Sequence, residues 1–155
     1  MIALVLVTMV PFVWFGMIVA ISFIETPLKF RAPGMTHALG VGIGRLVFQA
    51  LNRAEAVLAI IIVVAWLFAG EVVSAAAGAL LILSMAALAL QMLALRPAMA
   101  QRTLALAQTA LTHDGGSPVK AKVGTSLHMA YIASEALKAV ALPVAGILIV
   151  MDVAA

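Results

Sequence analysis

The stretch GRLVFQALNRAEAVLAIIIVVAWLF, Gly44 to Phe68, carries Arg45, Gln49, Asn52, Arg53 and Glu55 at its start and then turns wholly apolar. About 20 helical residues cross roughly 30 Å of hydrocarbon, so the apolar run reads as a membrane-spanning helix. Its polar residues gather at one end. Arg45, Gln49, Asn52 and Glu55 follow at spacings of three and four, which puts them on one broad helical face.

Working outward, the chain holds four such apolar stretches, roughly Ile2–Ile24, Leu46–Ala69, Val72–Leu95 and Ser126–Val150. They are rich in alanine and leucine, continuous, and without two-residue alternation, which argues for helices over strands. The spacer Ala-Gly-Glu at 69–71 is short enough to make helices two and three an antiparallel hairpin. The pattern predicts an all-α integral membrane four-helix bundle, one domain over residues 1–155.

Composition agrees. Of 155 residues, 66% are hydrophobic and 10% charged, with a mean hydropathy of +1.24. Soluble domains are roughly 45–50% apolar and about 25% charged, so the expected solvent, and first partner, is the lipid bilayer. Cysteine is absent, which excludes disulfides, thiolate metal sites and cysteine nucleophiles. The net charge of +3 is expected to mark loops rather than nucleic-acid binding.

Those loops set an orientation. Lys29, Arg31 and Arg45 lie between helices one and two, and Arg96, Arg102, Lys120 and Lys122 between three and four. The opposite side holds Glu71 and Asp152 and no basic residue. The positive-inside rule then places both long connections in the cytoplasm and both termini outside, as expected of a bacterial inner-membrane protein. The first stretch has no basic residue before Lys29, so it reads as a retained helix rather than a secretory signal. Pro27 and Pro33 are expected to end it. The segment RPAMAQRTLALAQTALTHDGGSPVK, 96–120, is expected to form an amphipathic extension of helix three, cytoplasmic or interfacial, up to about Thr112.

Helix four carries the sharpest pattern, TSLHMAYIASEALKAVALPVAGILIV from Thr125 to Val150. At 100° per residue, Glu135 lies about 20° around from His128 and Lys138 about 60° further, with Tyr131 between. These four form one polar stripe reaching toward mid-membrane. Glu135 and Lys138, three apart, are placed to pair within the helix. An ionised residue at the centre of a lone helix costs about 2.5–3.5 kcal/mol, so the stripe should face the bundle. Helix two offers Arg45, Asn52 and Glu55, helix one ends at Glu25, and helix three ends at Gln91 and Arg96. The candidate ligand or proton site is therefore His128, Tyr131, Glu135, Lys138, Asn52, Glu55, Arg45 and Glu25. Counting charges, Glu25, Glu55 and Glu135 balance Arg45, Arg53 and Lys138, which predicts a neutral polar cluster with His128 as the titratable remainder.

Other patterns carry less. LGVGIG, 39–44, lacks the spacing and the Lys-Ser/Thr of a phosphate loop, and its glycines are expected to allow a tight re-entry into helix two. Met85, Met92 and Met99 recur every seven residues, about 10.5 Å apart, too far to share one copper ion; they read as a packing seam and no metal is assigned. A haem would need His128 as a ligand, since His37 and His113 lie in loops. Catalytic motifs such as HExxH or GxSxG are absent.

The stretches GMIVAISFIETPLKF, GRLVFQALNRAEAVLA and LHMAYIASEALKAVALPVAG together resemble small four-helix bacterial membrane proteins of unknown function, and more distantly the DUF4149/TMEM205-like group. Gly16, Pro27, Phe30, Gly44, Arg45, Phe48 and His128 carry the resemblance. It implies a four-helix fold and little about activity. Three functional readings follow: an accessory or scaffold protein whose buried charges fix packing or a protein partner, a transporter or ligand binder working through the polar cluster, and a membrane enzyme or haem protein. The small residues Ala75, Ala76, Ala77 and Gly78 allow close helix contacts, hence a homo-oligomer.

Overall fold

The computed structural model describes residues 1–101 and 122–154, and these residues form four long helices. They are α1 (Ile2–Lys29), α2 (His37–Ala69), α3 (Ala75–Gln101) and α4 (Lys122–Ala154). Each contains a window long and apolar enough to cross a membrane. Helices are the form such a chain must take there, because hydrocarbon offers no partner for an open backbone. The chain is an all-α membrane four-helix bundle.

Each helix runs past its predicted apolar stretch at one end or both, although α3 starts at Ala75 rather than at Val72. α1 runs on through Pro27 to Lys29 because its turn at Val19–Glu25 is a π turn. There the Thr26 amide reaches back five residues to the Ile21 carbonyl. The wider turn gives the Pro27 ring room where an α-turn would clash. α2 starts at His37, so Gly40, Gly42 and Gly44 are helical and not a re-entry loop. Two of them admit neighbours: the Phe30 ring lies over Gly40, and a side chain on Gly44 would meet the Lys29 ammonium at 2.8 Å. Pro27, Phe30, Gly44 and Phe48 thus lie where the last turn of α1 joins α2. α3 continues to Gln101 through a second π turn, Gln91–Leu95. The rest of the predicted amphipathic extension lies outside the described residues.

At Gly70 the backbone turns with φ of 65°, a value that favours glycine, and a short 3₁₀ turn leads into α3. The Ser74 side chain caps α3 by accepting from the Ala77 amide, and Asp152 of α4 accepts from the Ser74 amide at 3.1 Å. That bond sets the end of α4 beside the start of α3. Helix α1 packs on α2 and α4, and α4 also packs on α3. Here the core is apolar: Val7, Val10, Trp14, Ile62, Ala65, Leu81, Leu142, Ala145 and Ile149 fill it. Met85 and Met92 pack at its edge, as a packing seam requires.

Gly146 of α4 lies under the Phe12 ring, and a Cβ there would come within 2.7 Å of it. Overpacking a core costs about 1–3 kcal/mol. Gly146→Leu should lower stability by that amount in detergent unfolding, and adding Phe12→Ala should restore most of it. Full stability in the single variant would show that α1 and α4 do not approach this closely.

Candidate functional site

Toward the basic end the core changes character. Asn52, Glu55, Gln91, Tyr131, Ser134, Glu135 and Lys138 are all buried. Lys138 projects from α4 into the middle of the bundle and uses all three ammonium protons. It donates to Glu55 Oε1 of α2, to Gln91 Oε1 of α3 at 2.8 Å, and to Glu135 Oε1 on its own helix at 3.0 Å. The i,i+3 pair read from the sequence is therefore formed, and Glu55 joins it from 83 residues away.

Second-tier bonds hold the three charges. Trp14 Nε1 of α1 donates to Glu55 Oε1 at 2.8 Å. The Gln91 amide nitrogen donates to Glu135 Oε1 and to Ser134 Oγ, both at 2.7 Å. Ser22 Oγ donates to Glu135 Oε2 at 3.0 Å. One arm of the Asn52 amide lies 2.9 Å from the Tyr131 hydroxyl, 3.2 Å from Glu55 Oε2 and 3.2 Å from the Phe48 carbonyl. A carboxylate and a carbonyl only accept, so that arm is the amide nitrogen. Among the described residues no buried side-chain nitrogen or oxygen lacks a partner.

Both π turns sit at this level. Ser22 belongs to the one in α1, and Gln91 opens the one in α3, where the Arg96 amide reaches back to the Gln91 carbonyl. Both residues bond to Glu135. Single π turns inside α-helices are frequent at functional sites.

The predicted charge balance does not hold. Arg45 and Arg53 are exposed rather than buried with the cluster. Arg45 lies about 10 Å of helical rise from Asn52, toward the basic end. Glu25 pairs instead with Lys29 at 3.3 Å. The Lys29 ammonium lies 5.7 Å from the ring centroids of Phe30 and Phe48, and Phe48 meets Tyr131 edge-on at 5.4 Å. What remains buried at the centre is two carboxylates and one ammonium. With all three ionised, the triad carries a net charge of −1 rather than zero. In a low-dielectric interior an unbalanced charge is expensive, and a bound cation would relieve it.

A cavity of about 110 Å³ opens against this triad between α1 and α4, lined by Ser22, Phe23, Thr26, Phe48, His128, Tyr131, Ile132 and Glu135. His128 is exposed at its wall, outside the hydrogen-bonded network. Such a cavity is far smaller than a porphyrin. Among the described residues no three His, Asp, Glu or Cys side chains gather to hold a metal ion.

The structure thus unites Asn52, Glu55, Tyr131, Glu135 and Lys138, puts His128 at the cavity wall, and leaves Arg45 and Glu25 apart. It adds Trp14, Ser22, Gln91 and Ser134. Gln91 was legible as a site residue: Ala77, Leu81, Ser84, Leu88 and Gln91 are all buried at spacings of four and three, so its amide continues the core stripe of α3. Trp14 likewise continues Val7 and Val10 in α1. Ser22 had no such signal. Comparison of the chain with known protein families, curated proteins and solved structures finds no match.

Proposed function

We propose that this is a multi-pass protein of a bacterial inner membrane, with its basic loops in the cytoplasm and both termini outside, that couples cation exchange at its buried triad to transport or ligand binding. One observation carries the reading: a buried ammonium held by two buried carboxylates, one of which, Glu135, lines a cavity. Ionisable groups at membrane depth are costly, and those that persist there commonly mark ion or proton pathways. A proton is the smallest cation that neutralises the triad, and Glu135, facing the cavity, is its point of entry.

Trp14 provides the test, because its indole bonds directly to Glu55. In a Trp66→Phe protein it is the remaining tryptophan. Its emission in lipid nanodiscs should change with pH as the triad gains and loses a proton. Glu135→Gln leaves one carboxylate to one ammonium, so the variant should fold and the response should vanish. An emission that ignores pH in the parent, or that titrates identically in Glu135→Gln, overturns the reading.

A second reading, the accessory or scaffold role, draws support from the complete pairing of buried polar atoms across four helices. Such a network can serve to fix helix register alone. It predicts that Glu135→Gln loses folding rather than the response to pH.

A further inference from the structure

We propose that the cavity between α1 and α4 binds a small primary ammonium ion, its charged head on Glu135 Oε2 and its carbon against the aromatic wall. This rests on the reading that the triad takes up a cation, and names the class of that cation beyond the proton.

Charge and position come first. With all three groups ionised the triad carries one more negative than positive charge, and of its two carboxylates it is Glu135 that lines the cavity. Its Oε1 is already engaged by Lys138 and Gln91, whereas Oε2 accepts one bond, from Ser22. A carboxylate oxygen has room for a further donor, so Oε2 is where a new N–H would dock.

The walls select the kind of cation. Phe23, Phe48 and Tyr131 present rings, and Ile132 adds an aliphatic face. Side-chain oxygens come from Ser22, Thr26, Tyr131 and Glu135. Ser22 and Thr26 donate their hydroxyl protons to Glu135 and to the Ile21 carbonyl, and Tyr131 accepts from the Asn52 amide, so each oxygen keeps a lone pair for an N–H. A bare metal ion such as calcium takes about six to eight oxygen ligands, more than the side chains of these walls supply. An ammonium needs one carboxylate and aromatic surface, the combination that recognises alkylammonium groups elsewhere. The chain already repeats this pattern nearby, where the Lys29 ammonium pairs with Glu25 beside the Phe30 and Phe48 rings. Size sets the limit. About 110 Å³ is room for nearly four waters at about 30 Å³ each, which suits an ion of two to four heavy atoms.

The surroundings fix the sign of a pH effect. Glu25 and Lys29 of α1, Glu55 of α2, Arg96 of α3, and His128, Tyr131 and Lys138 of α4 face or approach this space. A proton taken up by the triad removes the negative charge that draws a cation, so acid opposes binding. Ammonium binding should therefore weaken as pH falls.

Methylammonium chloride is the probe, titrated calorimetrically into the full-length protein in nanodiscs, with potassium chloride as control. Saturable binding is expected with methylammonium and not potassium, weaker at pH 5.5 than at pH 8 by roughly tenfold or more, because protons compete for the same carboxylate. Glu135→Gln should abolish it, and Phe48→Leu should weaken it several-fold. Thr26→Leu fills the cavity and removes a hydroxyl that bonds only within its own helix. It should block binding while leaving the fold intact, which keeps the test open if Glu135→Gln does not fold. Equal heats from potassium, or undiminished binding in Thr26→Leu, would overturn the ammonium assignment. A Trp14 emission that follows pH without any methylammonium binding would sink this inference and leave the proton reading standing.

Discussion

Replacing Lys138 with methionine is expected to remove about 3–5 kcal/mol of stability, the usual cost of breaking a buried ion pair from one side. For a bundle of this size that is a large share of the total, since whole domains are stable by about 5–15 kcal/mol. The reason lies in what stays behind. Glu55 and Glu135 both bond to the same ammonium, so its loss leaves two buried carboxylates facing each other without a cation. The Gln91 carbonyl loses its donor as well. Denaturant unfolding in detergent would read the loss. The sharper expectation concerns rescue. Adding Glu55→Gln and Glu135→Gln to Lys138→Met removes every charge while keeping most of the shape, and should recover most of the lost stability. If the triple variant is no better than the single one, packing and not charge dominates the site, and the electrostatic account of the core is wrong.

Gln91→Leu should have the next largest effect, about 3 kcal/mol or more. The side chains are similar in bulk, so little cavity is made. What is lost is a donor to Glu135, a donor to Ser134 and an acceptor for Lys138. Two of these bonds involve charged partners, at roughly 1.5–3 kcal/mol each. Leu88→Met, a buried change of similar volume one turn earlier in α3, should cost less than about 1.5 kcal/mol and serves as the control. Equal losses at both positions would mean that Gln91 acts through packing alone. Glutamate at position 91 would add a third carboxylate where one ammonium already serves two, and is expected to be worse than leucine.

Much of this architecture was legible in the chain. Transfer into lipid is nearly additive along a helix, so four long apolar stretches sufficed for the fold class. The Glu135–Lys138 pair followed from helical spacing within one element, as did the expectation that Asn52 and Glu55 share a face. Helix ends were less legible. Pro27 reads as a terminator, and only the π turn ahead of it lets α1 continue.

The same turn explains one wrong and one missing residue. Counted at 100° per residue, Glu25 falls about 20° from Trp14 and Ser22 about 80° from it, so Glu25 is the expected member of the site. A π turn advances each residue by less than that angle. Through Val19–Glu25 this swings Ser22 toward the face of Trp14 and carries Glu25 away, to Lys29. The sequence by itself determined that the chain forms apolar helices and which polar residues share a helix face, because both depend on local geometry and on solvent. The tertiary structure alone decided that Glu55 meets Lys138, that Arg45 and Arg53 stay outside, and that one buried ammonium serves two buried carboxylates. Those facts depend on the depth and rotation of one helix against another, and packing sets both.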